Sequence, residues 1–520
     1  MKNSRRNKMG RIVIDPITRI EGHLKIEVDV EGGRVRDAKS SGLLFRGIEI
    51  ILKGRDPRDA QRITTRICGV CPTSHSIASA LCLDSAFGIA DKIPENGKIL
   101  RNLIFGAALA SDHILHFYHL AALDYVDITG IVEYKGNDPV LNSLKDFTRR
   151  KNLYPFLPRY EGDYRLPKDI NLELISHYIK AFEMRRKGQE LSAIFGGKLP
   201  HDVGIIPGGV TTTVTVDKMT AFLGRLRELR DFVNTVYLPD VIELAKVYKD
   251  YLDIGAGPRR LLSYGGFDLE VSETDLTRRK RLFTPGSFDG KYEPLSLDGI
   301  VEHVRYSWYK GEARHFSEGE TIPEPKKDGA YSWVKAPRYK GEVYQVGPLA
   351  RVMVSYAAGV EAVREIVDKA LKELGVTQDK VFSVMGRHLM RAIETKVVVD
   401  AMEGWVMELK PGEKCWYEHE VPDEGEGVGI HDAARGALLH YIKIKDKKIE
   451  KYQCVVPTTW NASPRDGDGR CGAIEEALIG SPVRDEGNPF EVVRIVRSFD
   501  PCLACAVHVA CGGKVGKLKV

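Results

Sequence analysis

Two Cys-x-x-Cys pairs, one near each end of the 520-residue chain, are the residues whose types and spacing suit chemistry. Cys68 and Cys71 form the first pair, and Cys502 and Cys505 form the second. A Cys-x-x-Cys turn lets two thiolates bind one metal ion, and two such turns supply four sulfur ligands, which suit soft and borderline transition metals. The sequence therefore predicts a transition-metal site that joins both ends of the chain.

The spacing of the pairs leaves several kinds of site open. A zinc knuckle closes its second pair within roughly a dozen to twenty residues, whereas 431 positions separate Cys71 from Cys502. From spacing alone, structural zinc and an iron-sulfur cluster are comparable alternatives, and a redox dithiol or unrelated thiols are a third. The residues around the two pairs are needed to choose between them.

The first pair lies in Arg66-Ile-Cys-Gly-Val-Cys-Pro-Thr-Ser-His75, and the second lies in Asp500-Pro-Cys-Leu-Ala-Cys-Ala-Val-His508. These flanking residues resemble one known family, the large subunits of nickel-iron hydrogenases. Further stretches with the same resemblance run through the chain: Arg19-Ile-Glu-Gly-His23, Phe45-Arg-Gly-Ile-Glu49, Lys335-Ala-Pro-Arg-Tyr339, Val346-Gly-Pro-Leu-Ala-Arg351, Ala434-Arg-Gly-Ala-Leu438 and Val455-Val-Pro-Thr-Thr-Trp-Asn461. The resemblance implies a catalytic subunit that cleaves dihydrogen reversibly and heterolytically into protons and electrons.

The resemblance also implies a nickel-iron centre on the four cysteines. Cys68 and Cys502 would be terminal ligands of nickel, and Cys71 and Cys505 would bridge nickel to an iron that carries carbon monoxide and cyanide. Position 502 is cysteine, so the sequence is not that of the selenocysteine variant of the family.

A second metal site and two supporting side chains follow from the same resemblance. Glu49, the backbone carbonyl of Cys454 and the ring of His508 match a site that the family fills with magnesium or iron, and oxygen-rich coordination suits magnesium. Thr458 matches a hydroxyl that donates a hydrogen bond to cyanide. His75 is expected to hydrogen bond to a cysteine sulfur without binding a metal itself.

Heterolytic cleavage of dihydrogen needs a metal and a nearby base that takes the proton. The terminal thiolate of Cys502 suits the base, and Glu21 matches the family carboxylate that receives the proton from it. Arg435 matches an arginine placed over the metals, where its charge would stabilise negative charge. Asp112 and Asp500 match the carboxylates around that arginine.

Composition limits the other classes of function. The net charge is only +5, from 77 basic and 72 acidic residues, which does not indicate a nucleic-acid partner or a membrane surface. The longest apolar runs, such as residues 103–110, are far shorter than the roughly twenty residues that span a bilayer. The Arg5-Arg6 pair is not followed by an apolar segment, so no export signal is expected in this chain.

Electrons released at the centre must leave through another chain, because no other cysteine spacing here resembles an iron-sulfur motif. The resemblance implies an iron-sulfur small subunit as the partner, and through it a membrane cytochrome or another electron acceptor. In exported members the small subunit carries the signal. We therefore expect a periplasmic protein, or one on the outer face of the cell membrane, with a cytoplasmic enzyme as the alternative.

The elements that must position these residues form an α+β fold that is mainly α. Apolar residues recur at three- and four-residue steps in five stretches, which predict long helices and a bundle core: 95–124, 174–195, 218–252 with a break or kink at Pro239, 349–374 and 380–409. Alternation predicts a small N-terminal sheet in residues 11–45, with a hairpin turn at Gly32-Gly33, and C-terminal strands at 437–445 and 448–456. Residues 255–345 are expected to be irregular with short strands.

Because the two cysteine pairs must meet, residues 1–508 are predicted to be a single interleaved catalytic domain. The family removes a C-terminal extension after the histidine that corresponds to His508, using a dedicated maturation endopeptidase. Residues 509–520 are therefore interpreted as such an extension, with an ordinary frayed terminus as the alternative.

The sequence leaves two rival functions open and argues against a third. A structural zinc protein with four thiolates would contain no nickel or iron, and a hydrogen-sensing regulatory hydrogenase would differ in turnover rate. A related respiratory-complex subunit shares the fold of the family without its metal, but it would lack the four cysteines that this chain has.

Overall fold

The computed structural model describes residues 10–150, 153–159 and 162–506. Its α-helices are α1 (Ile48–Leu52), α2 (Asp59–Thr64), α3 (Pro72–Ala86), α4 (Glu95–Ile114), α5 (Pro139–Arg149), α6 (Lys168–Gly196), α7 (Val216–Phe232), α8 (Leu238–Val247), α9 (Pro348–Ala357), α10 (Glu361–Leu374), α11 (Val384–Glu408), α12 (Pro457–Asn461), α13 (Ala473–Leu478), α14 (Phe490–Ser498) and α15 (Leu503–Ala506). Its strands are β1 (Gly10–Ile14), β2 (Leu24–Glu31), β3 (Arg34–Gly42), β4 (Phe45–Arg46), β5 (Ile205–Ile206), β6 (Gly209–Val210), β7 (Leu261–Ser263), β8 (Gly266–Asp268), β9 (Arg281–Phe283), β10 (Gly286–Phe288), β11 (Tyr292–Glu293), β12 (Ile300–His303), β13 (Arg314–His315), β14 (Ala336–Tyr339), β15 (Glu424–Ala433), β16 (Gly436–Lys445) and β17 (Lys448–Val455).

A three-stranded antiparallel sheet, β1-β2-β3, begins the fold. Burial alternates along β2, because successive side chains of a strand point to opposite faces, so its apolar residues Leu24, Ile26, Val28 and Val30 enter the core. Gly32 and Gly33 both have positive φ, which confirms the predicted turn between β2 and β3.

A second three-stranded antiparallel sheet, β15-β16-β17, lies near the other end of the chain. Helix α3 packs on β15 at glycines, and a Cβ on Gly429 would lie 2.1 Å from the carbonyl oxygen of Ala78 and 2.4 Å from the amide nitrogen of Cys82. A Cβ on Gly427 or Gly425 would lie 2.4 or 2.5 Å from the backbone of this helix. Because α3 begins directly after Cys71, this contact positions the first cysteine pair.

We expect Gly429→Ala to lower the melting temperature of the protein, because the added methyl group overlaps backbone atoms that cannot rotate away. Overpacking of this kind costs about 1–3 kcal/mol and occasionally more. Gly404→Ala in α11 is the matched control, since Gly404 is exposed and a Cβ there meets no atom within 4 Å. That helical substitution should be neutral or stabilising by up to about 1 kcal/mol. Equal melting temperatures for the two variants would contradict the close contact.

The long helices pack on one another. Helix α4 lies against α6 and α11, and α7 also packs on both α6 and α11. The helix predicted over 95–124 is present, because α4 continues through a π-helical stretch, Leu115–Ala121, and a 3-10 turn, Ala122–Asp124. Between α7 and α8 a π-helical stretch, Val233–Tyr237, lies just before Pro239, where a break or kink was predicted.

One stretch predicted to be a single helix forms two helices in the structure. The apolar periodicity over 349–374 indicates one helix, whereas the structure has α9 and α10 separated by a short turn. Gly359 in that turn has φ +89°, a left-handed conformation that a continuing α-helix does not accept. Both helices present apolar residues at the same spacing, so the periodicity does not reveal the turn.

The segment from 255 to 345 contains the short strands β7 to β14, as the sequence predicted. These strands form two three-stranded sheets, β11-β10-β7 and β13-β12-β14, and a two-stranded sheet, β8-β9. In the part of the chain that the structure describes, no helix combines the length and apolar character needed to cross a membrane.

Candidate metal centre

The sulfur atoms of Cys68, Cys71, Cys502 and Cys505 all lie within 4.8 Å of one another, although the two pairs come from opposite ends of the chain. The Sγ atoms of Cys68 and Cys502 are 3.4 Å apart, those of Cys71 and Cys505 are 3.3 Å apart, and those of Cys502 and Cys505 are 2.9 Å apart. All four are buried free cysteines. An ion with metal–sulfur bonds of about 2.3 Å fits between sulfurs at these separations.

The charge balance of the cluster also favours a metal cation. Neighbouring sulfurs lower the pKa of Cys68 well below its ordinary value, whereas burial raises the pKa of Cys502 and Cys505 well above it. Four thiolates cannot share a dry space without a compensating positive charge, and a bound metal supplies that charge and deprotonates coordinating thiols. The donor set therefore fits a transition metal.

The first pair is shaped by its own backbone. The chain leaves a 3-10 turn, Thr65–Ile67, in an extended conformation at Cys68, and the N–H groups of Val70 and Cys71 then donate to the Sγ of Cys68 at 3.2 and 3.3 Å. Pro72 begins α3 at a position where proline is favoured. Both sulfurs of this pair are thus fixed at the start of a buried helix.

The second pair is held by the N-terminal part of the chain. Cys502 forms an isolated parallel β-bridge with Glu21, and the N–H of Leu503 donates to the carbonyl oxygen of Glu21 at 2.7 Å. Gly22 has φ +85°, and a Cβ there would lie 2.7 Å from the amide nitrogen of Ala504. The glycine of the Arg-Ile-Glu-Gly-His stretch therefore permits this close approach.

Arg46 links the two pairs, and sequence reasoning assigned no role to it. Its guanidinium donates to the carbonyl oxygens of Arg66, at 3.2 Å, and of Ile67, which immediately precedes Cys68. It also donates to the carbonyl oxygen of Ala504 at 2.5 Å, between the two cysteines of the second pair. Arg46 lies in the Phe45-Arg-Gly-Ile-Glu49 stretch, and the family resemblance of that stretch was the sequence signal that could have identified it.

Arg435 lies in a two-residue hairpin loop, because Ala433 at the end of β15 pairs with Gly436 at the start of β16. Its guanidinium binds Asp112 of α4 with two hydrogen bonds of 2.9 and 3.3 Å, and it binds Asp500 at 3.0 Å. Burial opposes the charged form of Arg435, but the two carboxylates outweigh burial and raise its pKa. Burial raises the pKa of Asp112 to about 6 despite the arginine.

The Glu21 side chain is half-buried beside the cluster. Burial is the largest cause that raises its pKa, and the charge of Cys68 raises it further. Arg435 and Arg46 lower it by smaller amounts. A carboxylate with a raised pKa takes up a proton more readily than an exposed one, which is the property required of a group that accepts a proton at neutral pH.

Two further side chains named from the sequence contact the second cysteine pair. The Oγ1 of Thr458 accepts a hydrogen bond from the N–H of Cys502 at 2.9 Å, so its own O–H remains able to donate. The Nε2 of His75 lies 3.4 Å from the Sγ of Cys505, and burial lowers the pKa of His75 to about 4, so its ring is neutral.

The second predicted metal site is only partly described. Glu49 is buried in α1, and its Oε1 accepts a hydrogen bond from the N–H of Cys454 at 2.8 Å, which brings these two residues together. The other carboxylate oxygen of Glu49 accepts from the hydroxyl of Thr321. His508 and the extension 509–520 lie outside the described residues.

Comparisons with known proteins place the chain in a family. The family model for nickel-dependent hydrogenases matches residues 46–508, and a model described as HoxL-like matches residues 11–41. The chain is 46% identical over 516 residues to the periplasmic NiFeSe hydrogenase large subunit of Desulfomicrobium baculatum, a match that covers 96% of this chain and 95% of that one. It is 38% identical over 570 residues to the hydrogenase-2 large chain of Escherichia coli K12, covering 98% and 99% of the two chains.

Solved structures of hydrogenases also match the chain. A variant of the NiFeSe hydrogenase from Desulfovibrio vulgaris Hildenborough superposes with a TM-score of 0.86 and 45% identity, covering 96% of this chain and 100% of that one. The H2-activated enzyme from Desulfomicrobium baculatum superposes with a TM-score of 0.86 and 46% identity, at the same coverage. With its four convergent cysteines and these matches over nearly its whole length, the chain belongs to the nickel-dependent hydrogenase family as a large, catalytic subunit.

Proposed function

We propose that the four cysteines hold a nickel-iron centre at which this subunit cleaves dihydrogen reversibly. Cys68 and Cys502 would be terminal ligands of nickel, and Cys71 and Cys505 would bridge to an iron that carries carbon monoxide and cyanide. The single observation that supports this most strongly is the convergence of four buried thiols within 4.8 Å of one another. Relatives named NiFeSe hydrogenases share the fold, but position 502 here is cysteine, so all four ligands are sulfur.

When bound, the metals would supply the polarising and redox chemistry that separates dihydrogen into protons and electrons. The Sγ of Cys502 would take the proton, and the Glu21 carboxylate would receive it from there. The backbone hydrogen bond between Leu503 and Glu21 keeps this carboxylate next to the second cysteine pair. Arg435, held by Asp112 and Asp500, would place positive charge over the centre, where it favours the thiolate form.

The surrounding residues support the metals in this proposal. Thr458 would donate its O–H to a cyanide, and His75 would donate to a bridging sulfur. Glu49, the carbonyl of Cys454 and the ring of His508 would hold magnesium or a second iron. The buried carboxylate of Glu49 beside the backbone of Cys454 supports the first two ligands.

Electrons would pass to an iron-sulfur small subunit, as expected for a chain whose relatives are named large subunits. Beyond it, a membrane cytochrome or another acceptor would take them. One relative is named periplasmic, which supports a periplasmic location, or one on the outer face of the cell membrane, reached by co-export with the small subunit. A cytoplasmic enzyme is the alternative.

Metal analysis joined to infrared spectroscopy of the purified complex tests the proposed centre. We expect about one nickel per large subunit, with iron in excess of it from the partner, and carbon monoxide and cyanide stretches where protein does not absorb. Zinc in place of nickel, without these bands, would reject the proposal and favour a structural tetrathiolate site.

We further propose that residues 1–508 form a single interleaved catalytic domain, with the long helices as its bundle core, and that a maturation endopeptidase removes residues 509–520. The cut would lie three residues after Cys505, so the extension is placed to delay closure of the site until nickel is bound. Intact-mass measurement on nickel-loaded, active protein checks this, and we expect a large subunit ending at His508. A fully active chain that retains Val509 to Val520 would contradict it.

A further inference from the structure

A chain of hydrogen bonds runs from Cys505 through His75 to three further buried side chains that the proposed mechanism does not use. The Nε2 of His75 lies 3.4 Å from the Sγ of Cys505, and its Nδ1 lies 3.1 Å from the Nε2 of His440. The Nδ1 of His440 lies 2.8 Å from the hydroxyl of Tyr452, which is itself 3.0 Å from the Oγ of Ser79. All five residues are buried.

The helix and strands that carry these hydrogen-bonded side chains pack on one another. His75 and Ser79 lie one turn apart on the same face of α3. His440 and Tyr452 lie on the neighbouring antiparallel strands β16 and β17, and α3 packs on the sheet through the glycines of β15. The side chains therefore have little freedom to choose other partners.

These hydrogen bonds have one consistent order of donors and acceptors. A metal-bound thiolate has no proton, so the sulfur of Cys505 can only accept a hydrogen bond, and the Nε2 of His75 must donate. In a neutral imidazole the other nitrogen then accepts, so the Nε2 of His440 donates to His75 and the Nδ1 of His440 accepts. The hydroxyl of Tyr452 lies 2.8 Å from that nitrogen, and it must donate its proton there, because two acceptors do not form a hydrogen bond.

We propose that Tyr452 is a positioning residue that fixes the tautomers of His440 and His75 and thereby directs an N–H at the sulfur of Cys505. This inference rests on the proposed function, in which Cys505 bridges the two metals. Hydrogen bonds to a ligating sulfur withdraw electron density from the metal and raise its reduction potential. Tyr452 therefore tunes the centre through two histidines without touching it.

Tyr452→Phe in the complete enzyme complex tests the inference, because it removes one hydroxyl and keeps the ring. We expect nickel content to be unchanged, the carbon monoxide stretch to move to lower frequency, and the midpoint potential of the centre to fall. Tyr441→Phe is the matched control, since this tyrosine lies on β16 next to His440 but donates to Glu426 at 3.0 Å. It should leave the stretch and the potential as in the unsubstituted enzyme. Identical spectra and potentials for Tyr452→Phe and the unsubstituted enzyme would overturn the inference.

Neutron diffraction of the unsubstituted complex gives a second test that does not depend on a folded variant. We expect deuterium on the Nε2 of His75, on the Nε2 of His440 and on the tyrosine oxygen toward His440. Deuterium on the Nδ1 of His75, or a Tyr452 hydroxyl that points to Ser79, would overturn the assignment. If the unsubstituted complex shows no cofactor bands, the proposed function fails; normal bands with unshifted variant spectra reject only the role of Tyr452.

Discussion

The Glu21→Gln enzyme is expected to contain its full complement of nickel and to turn over about 10²–10⁴-fold more slowly, which is the usual contribution of a general acid or base. The amide has the size and shape of the carboxyl group but cannot carry the proton onward from Cys502. The bond from Leu503 uses the backbone carbonyl of Glu21, so the substitution leaves it intact. Hydrogen oxidation and hydrogen–deuterium exchange measure the loss, and metal analysis checks assembly.

Glu27→Gln provides the matched control for this variant. Glu27 lies on β2, six residues further along the same N-terminal segment, and its carboxylate pairs with Arg11 at 2.6 Å and with Lys25. We expect normal exchange and turnover from it. Normal exchange in Glu21→Gln would remove the carboxylate from the proton path, and loss of nickel from that variant would make Glu21 an assembly residue instead.

The meeting of the four cysteines could be predicted from the sequence because they lie in local motifs. Each Cys-x-x-Cys pair is a short stretch, and the family resemblance indicates that two such stretches meet even though 431 positions separate Cys71 from Cys502. The positions of the long helices other than the one over 349–374 were predicted for the same reason, since apolar periodicity reports which face of a helix is buried. Cysteine motifs and apolar periodicity each report on a single segment of the sequence.

What the sequence did not reveal depends on contacts between distant segments. The link from Arg46 to the backbone of Ala504 spans 458 positions, and the pair of His75 and His440 spans 365. No sequence spacing marks the carbonyl of Ala504 or the ring of His440 as a partner, because a backbone carbonyl or a single histidine has no pattern of its own. The turn between α9 and α10 was missed for a related reason: periodicity persists across a break when both helices face the same core.

Arg435→Lys is the second substitution expected to have a large effect, a fall in turnover of about 10²–10³-fold, as seen when one preorganised donor is removed from an active site. The guanidinium binds both oxygens of Asp112 and one of Asp500 at once, and a compact ammonium cannot reproduce that planar arrangement. One carboxylate would lose its charged partner in a buried site, and the positive charge would shift away from the cysteine cluster. Turnover per bound nickel is the measurement.

Arg338→Lys separates this effect from the general cost of replacing a buried arginine. Arg338 is fully buried and pairs with Asp466 at 2.8 Å, and its other hydrogen bonds go to groups outside the metal centre. Its lysine variant should lose stability, because a buried ion pair is weakened, yet keep normal turnover for each nickel it binds. If Arg435→Lys instead lost activity only in proportion to lost nickel, Arg435 would be needed to assemble the centre and would have no part in the reaction. Since the guanidinium of Arg435 donates its hydrogen bonds to the carboxylates of Asp112 and Asp500, we expect nickel to stay and the rate to fall.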